Sequence, residues 1–394
     1  MMMREHGGTL QKFRFIEFFA GGGMARAGLG FSWECLLAND FDAKKAASYR
    51  ENWGCDHFYE GDVWHLPDER LEAAKGADLA WASFPCQDLS LAGNQTGLSG
   101  HRSGAFWGFW KQISKLQTIN QHPTLIVLEN VNGMLTSNGG RDFSAIFSAL
   151  RDGGYKAGAL IIDAAYFVPQ SRPRLFIIAA RNDLEIPERL NLSAPLPFWT
   201  PVGLATQLRE LDITTRKDWI SWRLPLPPRR VQTFADLVDE IPSGGVKWHT
   251  PTETEALLNM MSPVNLLKIR DAQLAGRKIV GTLYKRTRVH AAGRSQRAEV
   301  RFDDVAGCLR TPRGGSSRQT LVVVEGNLIR SRLLSPREAA RLMGLPETYQ
   351  IPKNYNDAYK LVGDGVVVPV VRHLAEYILE PLLAAQRRSQ TKVA

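Results

Sequence analysis

A chain of 394 residues with 44% hydrophobic content is long enough for a catalytic domain plus a smaller second domain, each with an ordinary core. Its apolar run at 13–20 is short and contains Glu17, which excludes a signal peptide or membrane span there. The cysteines Cys35, Cys55, Cys86 and Cys308 lie at least twenty residues apart, so no metal site is expected, and a reducing cytosolic setting fits. The net charge of +9 is unevenly placed: 281–341 carries thirteen Lys and Arg against five Asp and Glu, a strip suited to a polyanion or to plain solvation.

Along the first 180 residues, short apolar runs alternate with helix-like segments, which predicts an α/β domain on a mostly parallel sheet. Strands are expected over 13–19, 34–38, 77–82, 125–129, 159–163 and 175–180, with a further short one just before Gly61. Ligands of such sheets bind at the strand C-termini, so functional residues are expected there. After Arg181 prolines interrupt any long element, and Trp199, Trp219, Trp222 and Trp248 appear among basic residues; a second domain with few long elements is expected. Helical signals return at 335–343, where Ser335, Pro336 and Glu338 supply a cap, a first-turn proline and a capping-box acid. The segment 370–383 reads as an amphipathic helix.

Phe19-Ala20-Gly21-Gly22-Gly23 follows the first strand and opens a helix, so its glycines permit a tight turn and close approach of a ligand to the backbone. Asp40, nineteen residues beyond Gly21, ends the second strand, where an acid can accept from ribose hydroxyls. Taken alone, this pattern also fits dehydrogenases, flavoproteins or a plain structural turn. Asp62 stands where an adenine amino group would be received, or where a helix is capped. Ser83-Phe84-Pro85-Cys86-Gln87 delivers a thiol at the sheet's C-terminal edge. A free thiol is only a few per cent thiolate at neutral pH, so by itself Cys86 reads as structural unless its neighbours activate it. Glu129 ends the fifth strand on the same edge, where it either faces a substrate or pairs with an Arg. Alternation puts Arg172 and Arg174 on one face, able to stabilise a thiolate, phosphate or carboxylate.

These motifs, in this order, resemble the DNA cytosine-5 methyltransferase family. Phe19 to Gly23 is similar to its glycine-rich opening, Pro85-Cys86 to its nucleophile loop, Glu129-Asn130-Val131 to its Glu-Asn-Val, and Gln170 to Arg174 to its Gln-x-Arg-x-Arg. Arg332 to Pro346 and Gly363 to Val370 are similar to its ninth and tenth motifs. Asp364 departs from the Asn of many members, and Phe41 from the Trp of some. The resemblance covers 13–181 and 330–383 and leaves the middle as a variable recognition region.

The resemblance implies a class I S-adenosylmethionine-dependent methyltransferase, α/β and Rossmann-like, with a smaller target-recognition domain. The expected division is 1–182 for catalysis and cofactor, 183–331 for target recognition, and 332–394 for the last two motifs and a helix returning to the catalytic domain. Phe19, Gly21, Gly23, Asp40, Phe41, Asp62, Val63, Pro85, Phe106 and Val366 would line the S-adenosylmethionine pocket. Cys86, Glu129, Arg172 and Arg174 would carry catalysis: thiolate addition to carbon 6, a carboxyl on the N3 edge, and an arginine on O2. The base must leave the stack, at a cost of a few kcal/mol. Gln87, Ser90, Arg310, Arg313, Ser316, Ser317, Arg318 and Gln319 are the expected DNA contacts, the last six in a glycine-containing loop that otherwise reads as an exposed connection.

The implied partner is double-stranded DNA, with a cognate restriction endonuclease or other defence protein beside it, for a monomeric, prokaryotic, cytoplasmic enzyme. The absence of an appended regulatory domain fits a stand-alone modification enzyme. An RNA cytosine-5 methyltransferase of the same type is the nearest alternative, against which the long insert at 181–330 argues. A catalytically idle DNA-binding relative is the other, against which the intact catalytic set argues.

Overall fold

The computed structural model describes residues 12–85, 104–290, 293–309 and 318–393. Strands β1 (Phe13–Phe18), β2 (Trp33–Asp40), β3 (Phe58–Glu60), β4 (Leu79–Ala82), β5 (Leu125–Val131), β6 (Tyr155–Asp163) and β7 (Pro173–Arg181) form one sheet in the order β3-β2-β1-β4-β5-β7-β6. The first five run parallel, while β7 is antiparallel to both β5 and β6. The expected strands are all present, and the sheet is parallel except at β7. β4 reads Leu-Ala-Trp-Ala with every residue buried, as a parallel strand covered on both faces should.

Helices α1 (Met24–Leu29), α2 (Ala43–Trp53), α3 (Asp68–Glu72), α4 (Ala105–Thr118) and α5 (Arg141–Asp152) connect these strands. In α5, Phe143, Ile146, Phe147 and Leu150 recur at helical spacing and fill the core on one face of the sheet. The other face is covered largely from the far end of the chain. Helix α10 (Pro336–Arg341) carries the expected capping box between Ser335 and Glu338. After it come α11 (Tyr355–Asp364), α12 (Val368–Leu374) and α13 (Glu380–Val393). A π turn over Ala375–Leu379 joins the last two, so the expected C-terminal helix exists with a bulge inside it.

Between the two halves lie α6 (Val202–Glu210), α7 (Ile213–Lys217), α8 (Pro251–Asn259) and α9 (Pro263–Leu274). Four strands follow: β8 (Ile279–His290), β9 (Gly293–Arg301), β10 (Thr320–Glu325) and β11 (Leu328–Leu333), in the order β11-β10-β8-β9, all antiparallel. The expectation of few long elements holds for the proline-rich stretch but not beyond Thr250. There α9 and β8 are each twelve residues long. β8 carries Lys and Arg where an apolar alternation would have announced a strand.

The region expected for target recognition is divided in its packing. Leu184, Trp199, Ile220, Trp222, Phe234 and Leu237 belong to the same buried cluster as β1 and β4, whereas Leu257, Ile269, Leu283, Val300 and Val322 form a separate core under the second sheet. The first part docks along the edge of β6, where Ile220 donates its N–H to the Ala157 carbonyl at 3.0 Å. Gly158 permits this approach, since a Cβ there would lie 1.9 Å from the Ile220 carbonyl oxygen. The edge strand is thereby covered.

Candidate active site

The glycine turn after β1 is held from three sides. Phe19 has φ of 57°, a left-handed conformation costly for an aromatic residue, followed by Gly21 at 56° and Gly23 at 77°. The Gly22 carbonyl accepts from Trp53 Nε1 at 2.9 Å and from the Tyr349 hydroxyl at 2.8 Å. A side chain on Gly23 would strike Trp53, but a Cβ on Gly21 meets nothing within 4 Å, so open space lies above that residue. Asp40, at the end of β2, accepts the Gly21 N–H on one oxygen at 2.8 Å and the Asp42 N–H on the other at 2.9 Å. Burial pushes its carboxyl above the usual range, with Lys45 opposing. It braces the turn and keeps acceptor capacity for a hydroxyl.

Phe41 exposes 68% of its surface beside this turn, an uncovered ring available to stack on a base. Asp62 caps a short helical turn, accepting the Trp64 N–H at 3.0 Å, and Val63 next to it is buried. Open space, an exposed ring and two acids along the β1–β3 ends fit an adenosine-bearing cofactor. Phe106 does not belong to that surface. It is fully buried among Phe84, Trp107, Phe109 and Trp110, and acts as a floor beneath Phe84. Val366 is buried too, behind Gly365. The Asp364 carboxylate pairs with Lys45 at 2.8 Å. Pro85 is exposed at the end of the described segment.

Cys86, with Gln87 and Ser90, lies outside the described residues, as do Arg310, Arg313, Ser316 and Ser317. The chain leading to Cys86 is nonetheless anchored: Asn130 Nδ2 donates to the Phe84 carbonyl at 2.9 Å, and the Asn130 carboxamide oxygen accepts the Val131 N–H at 2.8 Å. Glu129, nearly buried at the end of β5, meets Arg174 Nε at 3.3 Å from the facing end of β7. Of the two readings of Glu129, the structure shows the pairing with an Arg.

The two arginines differ in what their guanidinium groups already do. Arg172 is 2% exposed, and its Nη atoms donate to the carbonyls of Leu309, Gly363 and Gly365 at 3.1, 2.9 and 2.7 Å and to Cys308 Sγ at 3.4 Å. Burial, with the Arg174 charge beside it, pulls its pKa down to about 10. With both Nη groups committed and Nε alone left without a partner, Arg172 ties three chain segments together. Arg174 makes one bond to the Pro173 carbonyl at 2.9 Å, the pair with Glu129, and a long 3.9 Å contact to Cys308.

Cys308 lies against both guanidiniums, a contact that its spacing in the sequence does not signal. Gln170 is buried and bridges the Leu342 carbonyl at 2.7 Å and the Leu309 N–H at 3.1 Å, joining the catalytic edge to α10 and to the chain after β9. Of the expected DNA contacts that are described, Gln319 is buried, bonded to the Leu283 carbonyl at 3.3 Å, and is not available to DNA. Arg318 lies over the Tyr355 ring at 5.2 Å and donates to Asn356. Among the described residues no cluster of His, Cys, Asp or Glu could hold a metal, and no helix is long and apolar enough to cross a membrane.

Comparison with known proteins agrees with this geometry. The chain is 26% identical over 368 residues to the type II methyltransferase M.HhaI of Haemophilus parahaemolyticus, covering 92% of this chain and 93% of that protein. It is 27% identical over 395 residues to the type II methyltransferase M.HpaII of Haemophilus parainfluenzae, covering 94% and 90%. In fold it is similar to the S. pombe Dnmt2 methyltransferase, with a TM-score of 0.58 at 17% identity over 94% of this chain and 99% of that one. An Entamoeba histolytica methyltransferase gives 0.60 at 15% identity, covering 95% and 99%. The family model described as C-5 cytosine-specific DNA methylase matches residues 13–380. The chain therefore belongs to the C-5 cytosine-specific DNA methylases, S-adenosylmethionine-dependent enzymes that methylate carbon 5 of cytosine.

Proposed function

We propose that this enzyme methylates one cytosine within a short fixed sequence of double-stranded DNA, acting on a base turned out of the helix through a covalent bond from Cys86. The observation that carries the reading is the nearly buried Glu129–Arg174 pair, 3.3 Å apart at the strand ends beside the anchored Phe84-Pro85 segment. A carboxyl and a guanidinium in that arrangement match the two edges of a cytosine: Glu129 takes the N3 and amino edge, Arg174 the O2.

Bound S-adenosylmethionine supplies an electrophilic methyl group on a sulfonium sulfur, held by the Gly21 turn, Asp40, Phe41 and Asp62. Carbon 5 of cytosine is too weak a nucleophile to take that methyl unaided. The Cys86 thiolate adds to carbon 6, the ring electrons move toward N3 and O2, and Glu129 delivers a proton to N3 while Arg174 steadies O2. Carbon 5 of this adduct is enamine-like and nucleophilic enough to take the methyl as its bond to sulfur breaks; loss of the carbon 5 proton to a base and return of the N3 proton to Glu129 then expel Cys86 as thiolate and restore the aromatic ring. Arg172, Gln170 and Asn130 position the groups that react. We assign target reading to the unit built on the second sheet, and place the enzyme as a monomer in the cytoplasm of a prokaryote beside a restriction endonuclease or another defence protein.

The test is conversion sequencing of DNA from cells expressing the protein. Methylated cytosines in one short context, lost in Cys86→Ser, are expected; unmodified DNA with well-folded wild type overturns the reading. A duplex carrying 5-fluorocytosine should trap a Cys86-dependent adduct in the presence of cofactor, because fluorine cannot leave as a proton does.

A further inference from the structure

Helices α2 and α11 meet through charges set out in matching order. Asp357, Lys360 and Asp364 recur three and four residues apart, which puts them on one face of α11. Opposite them stand Lys44, Asp42 and Lys45, from the cap and first turn of α2. Lys44 pairs with Asp357 at 2.7 Å, Lys360 with Asp42 at 2.6 Å and Lys45 with Asp364 at 2.8 Å. The first is a surface pair, with 69% of the lysine side chain exposed, and contributes little. Lys45 is different, with 19% of its side chain exposed. Its partner Asp364 departs from the Asn of many family members, so the chain places an additional carboxylate at this contact.

The contact lies beside Asp40, which ends β2 two residues before the α2 cap. Both Asp40 oxygens accept backbone N–H groups, from Gly21 on one and Asp42 on the other. A proton on this carboxyl would loosen its hold on the glycine turn and take away acceptor capacity for a hydroxyl. Burial favours that proton, and so does the charge of Asp42. Glu17, facing Asp40 from β1, adds little charge at lower pH, since burial pushes its own carboxyl up to about 8. Lys45 is the leading charge opposing the proton, and Lys360 also faces Asp40 from α11. Lys360 is engaged by Asp42, while Lys45 divides its charge between Asp40 and Asp364.

We propose that Lys45 is a positioning residue for S-adenosylmethionine: it holds Asp40 ionised, so that the carboxylate braces the Gly21 turn and accepts a ribose hydroxyl. Its bond to Asp364 sets how much of its charge Asp40 receives. The inference rests on Asp40 holding the cofactor and adds the group that acts through it. Removing Lys45 leaves Asp364 as a further uncompensated acid near Asp40. Removing Asp364 turns Lys45 wholly toward Asp40. The two substitutions therefore act in opposite directions, whereas a plain tether between helices would make them act alike.

The experiment titrates the full chain with S-adenosylmethionine by calorimetry, without DNA, at pH 8 and pH 5, with melting temperatures taken at both to report folding separately. The loss of affinity between the two should be about threefold or more greater in Lys45→Met than in wild type, as an Asp40 titration moved upward by about one pH unit requires. Lys45→Arg should keep the wild-type loss. Asp364→Asn should lose no more than wild type, and Lys45→Met/Asp364→Asn should fall between wild type and Lys45→Met. Equal losses in Lys45→Met and wild type overturn the role of Lys45, as does a loss in Asp364→Asn as large as that in Lys45→Met. Asp40→Asn separates the two readings. If it weakens cofactor binding while Lys45→Met behaves as wild type, only the positioning role falls; if it binds as tightly as wild type, the cofactor role of Asp40 falls with it.

Discussion

The two sheets of this molecule differ in how much of themselves they bury. In the seven-stranded sheet β1, β4 and β5 are covered on both faces by helices and by the proline-rich stretch that packs onto them. The four-stranded sheet has a core of its own on the side of α8 and α9, and beyond β10 its strands β8 and β9 continue as a pair. A sheet sealed on both faces holds its strand ends in fixed positions, which a reaction needs. An open sheet leaves a surface whose residues contribute little to stability and are free to suit a partner. Chemistry should therefore fail on substitution in the first sheet without loss of DNA binding, and binding should fail on substitution in the second without loss of chemistry.

The sharpest way to break that division is Glu129→Gln. The variant keeps the shape and one hydrogen bond to Arg174 but cannot deliver a proton, so kcat should fall by about 10²–10⁴-fold in single-turnover methylation, with DNA affinity within about twofold of wild type. A large loss of affinity would show that Glu129 also holds the DNA in place, and the two sheets would not be separable.

Next in size is the contrast between the two arginines. Arg172→Ala strips the partners from three carbonyls and should destabilise the fold by roughly 3–5 kcal/mol in urea unfolding. Arg174→Ala should keep most of the stability and lose about 10²-fold in kcat. Equal stability losses in the two variants would remove the distinction between a tie and an active-site group.

The smallest effect tests how tightly the first sheet is sealed. Glu17 sits one residue before the end of β1, one carboxylate oxygen has no hydrogen-bond partner, and burial pushes its pKa from 4.5 up to about 8. The folded chain then keeps a proton that the unfolded chain has lost. The Glu17 contribution to stability is fully present below about pH 4.5 and is lost as pH rises through about 8. Glu17→Gln cannot ionise, so its melting temperature should exceed that of wild type by a margin that grows by several degrees from pH 5 to pH 8. A margin independent of pH would show that Glu17 is ionised and solvated in the folded protein.

Much of the first sheet is legible in the sequence because its strands are short apolar runs ending in the residues that matter: Asp40, Glu129 and the Arg172–Arg174 pair all stand at the predicted edge. The second sheet is not, because β8 and β9 are held by pairing and by one covered face, while their other positions carry Lys, Arg and Gln that break any apolar alternation. Among site residues, Cys308 was invisible for a different reason. Its significance is contact with two guanidiniums more than 130 residues away in the chain, and no local pattern encodes such a contact.

By itself the sequence determined the reaction. The order of the glycine turn, Pro85-Cys86, Glu129-Asn130 and Gln170-Ser171-Arg172-Pro173-Arg174 specifies side-chain types at strand ends, and strand ends are set by local hydrophobicity. Only the tertiary structure decided which partners those residues take. Whether an arginine reacts or merely ties segments together depends on which carbonyls surround its donors, and for Arg172 those come from Leu309, Gly363 and Gly365, brought to it by the packing of distant segments.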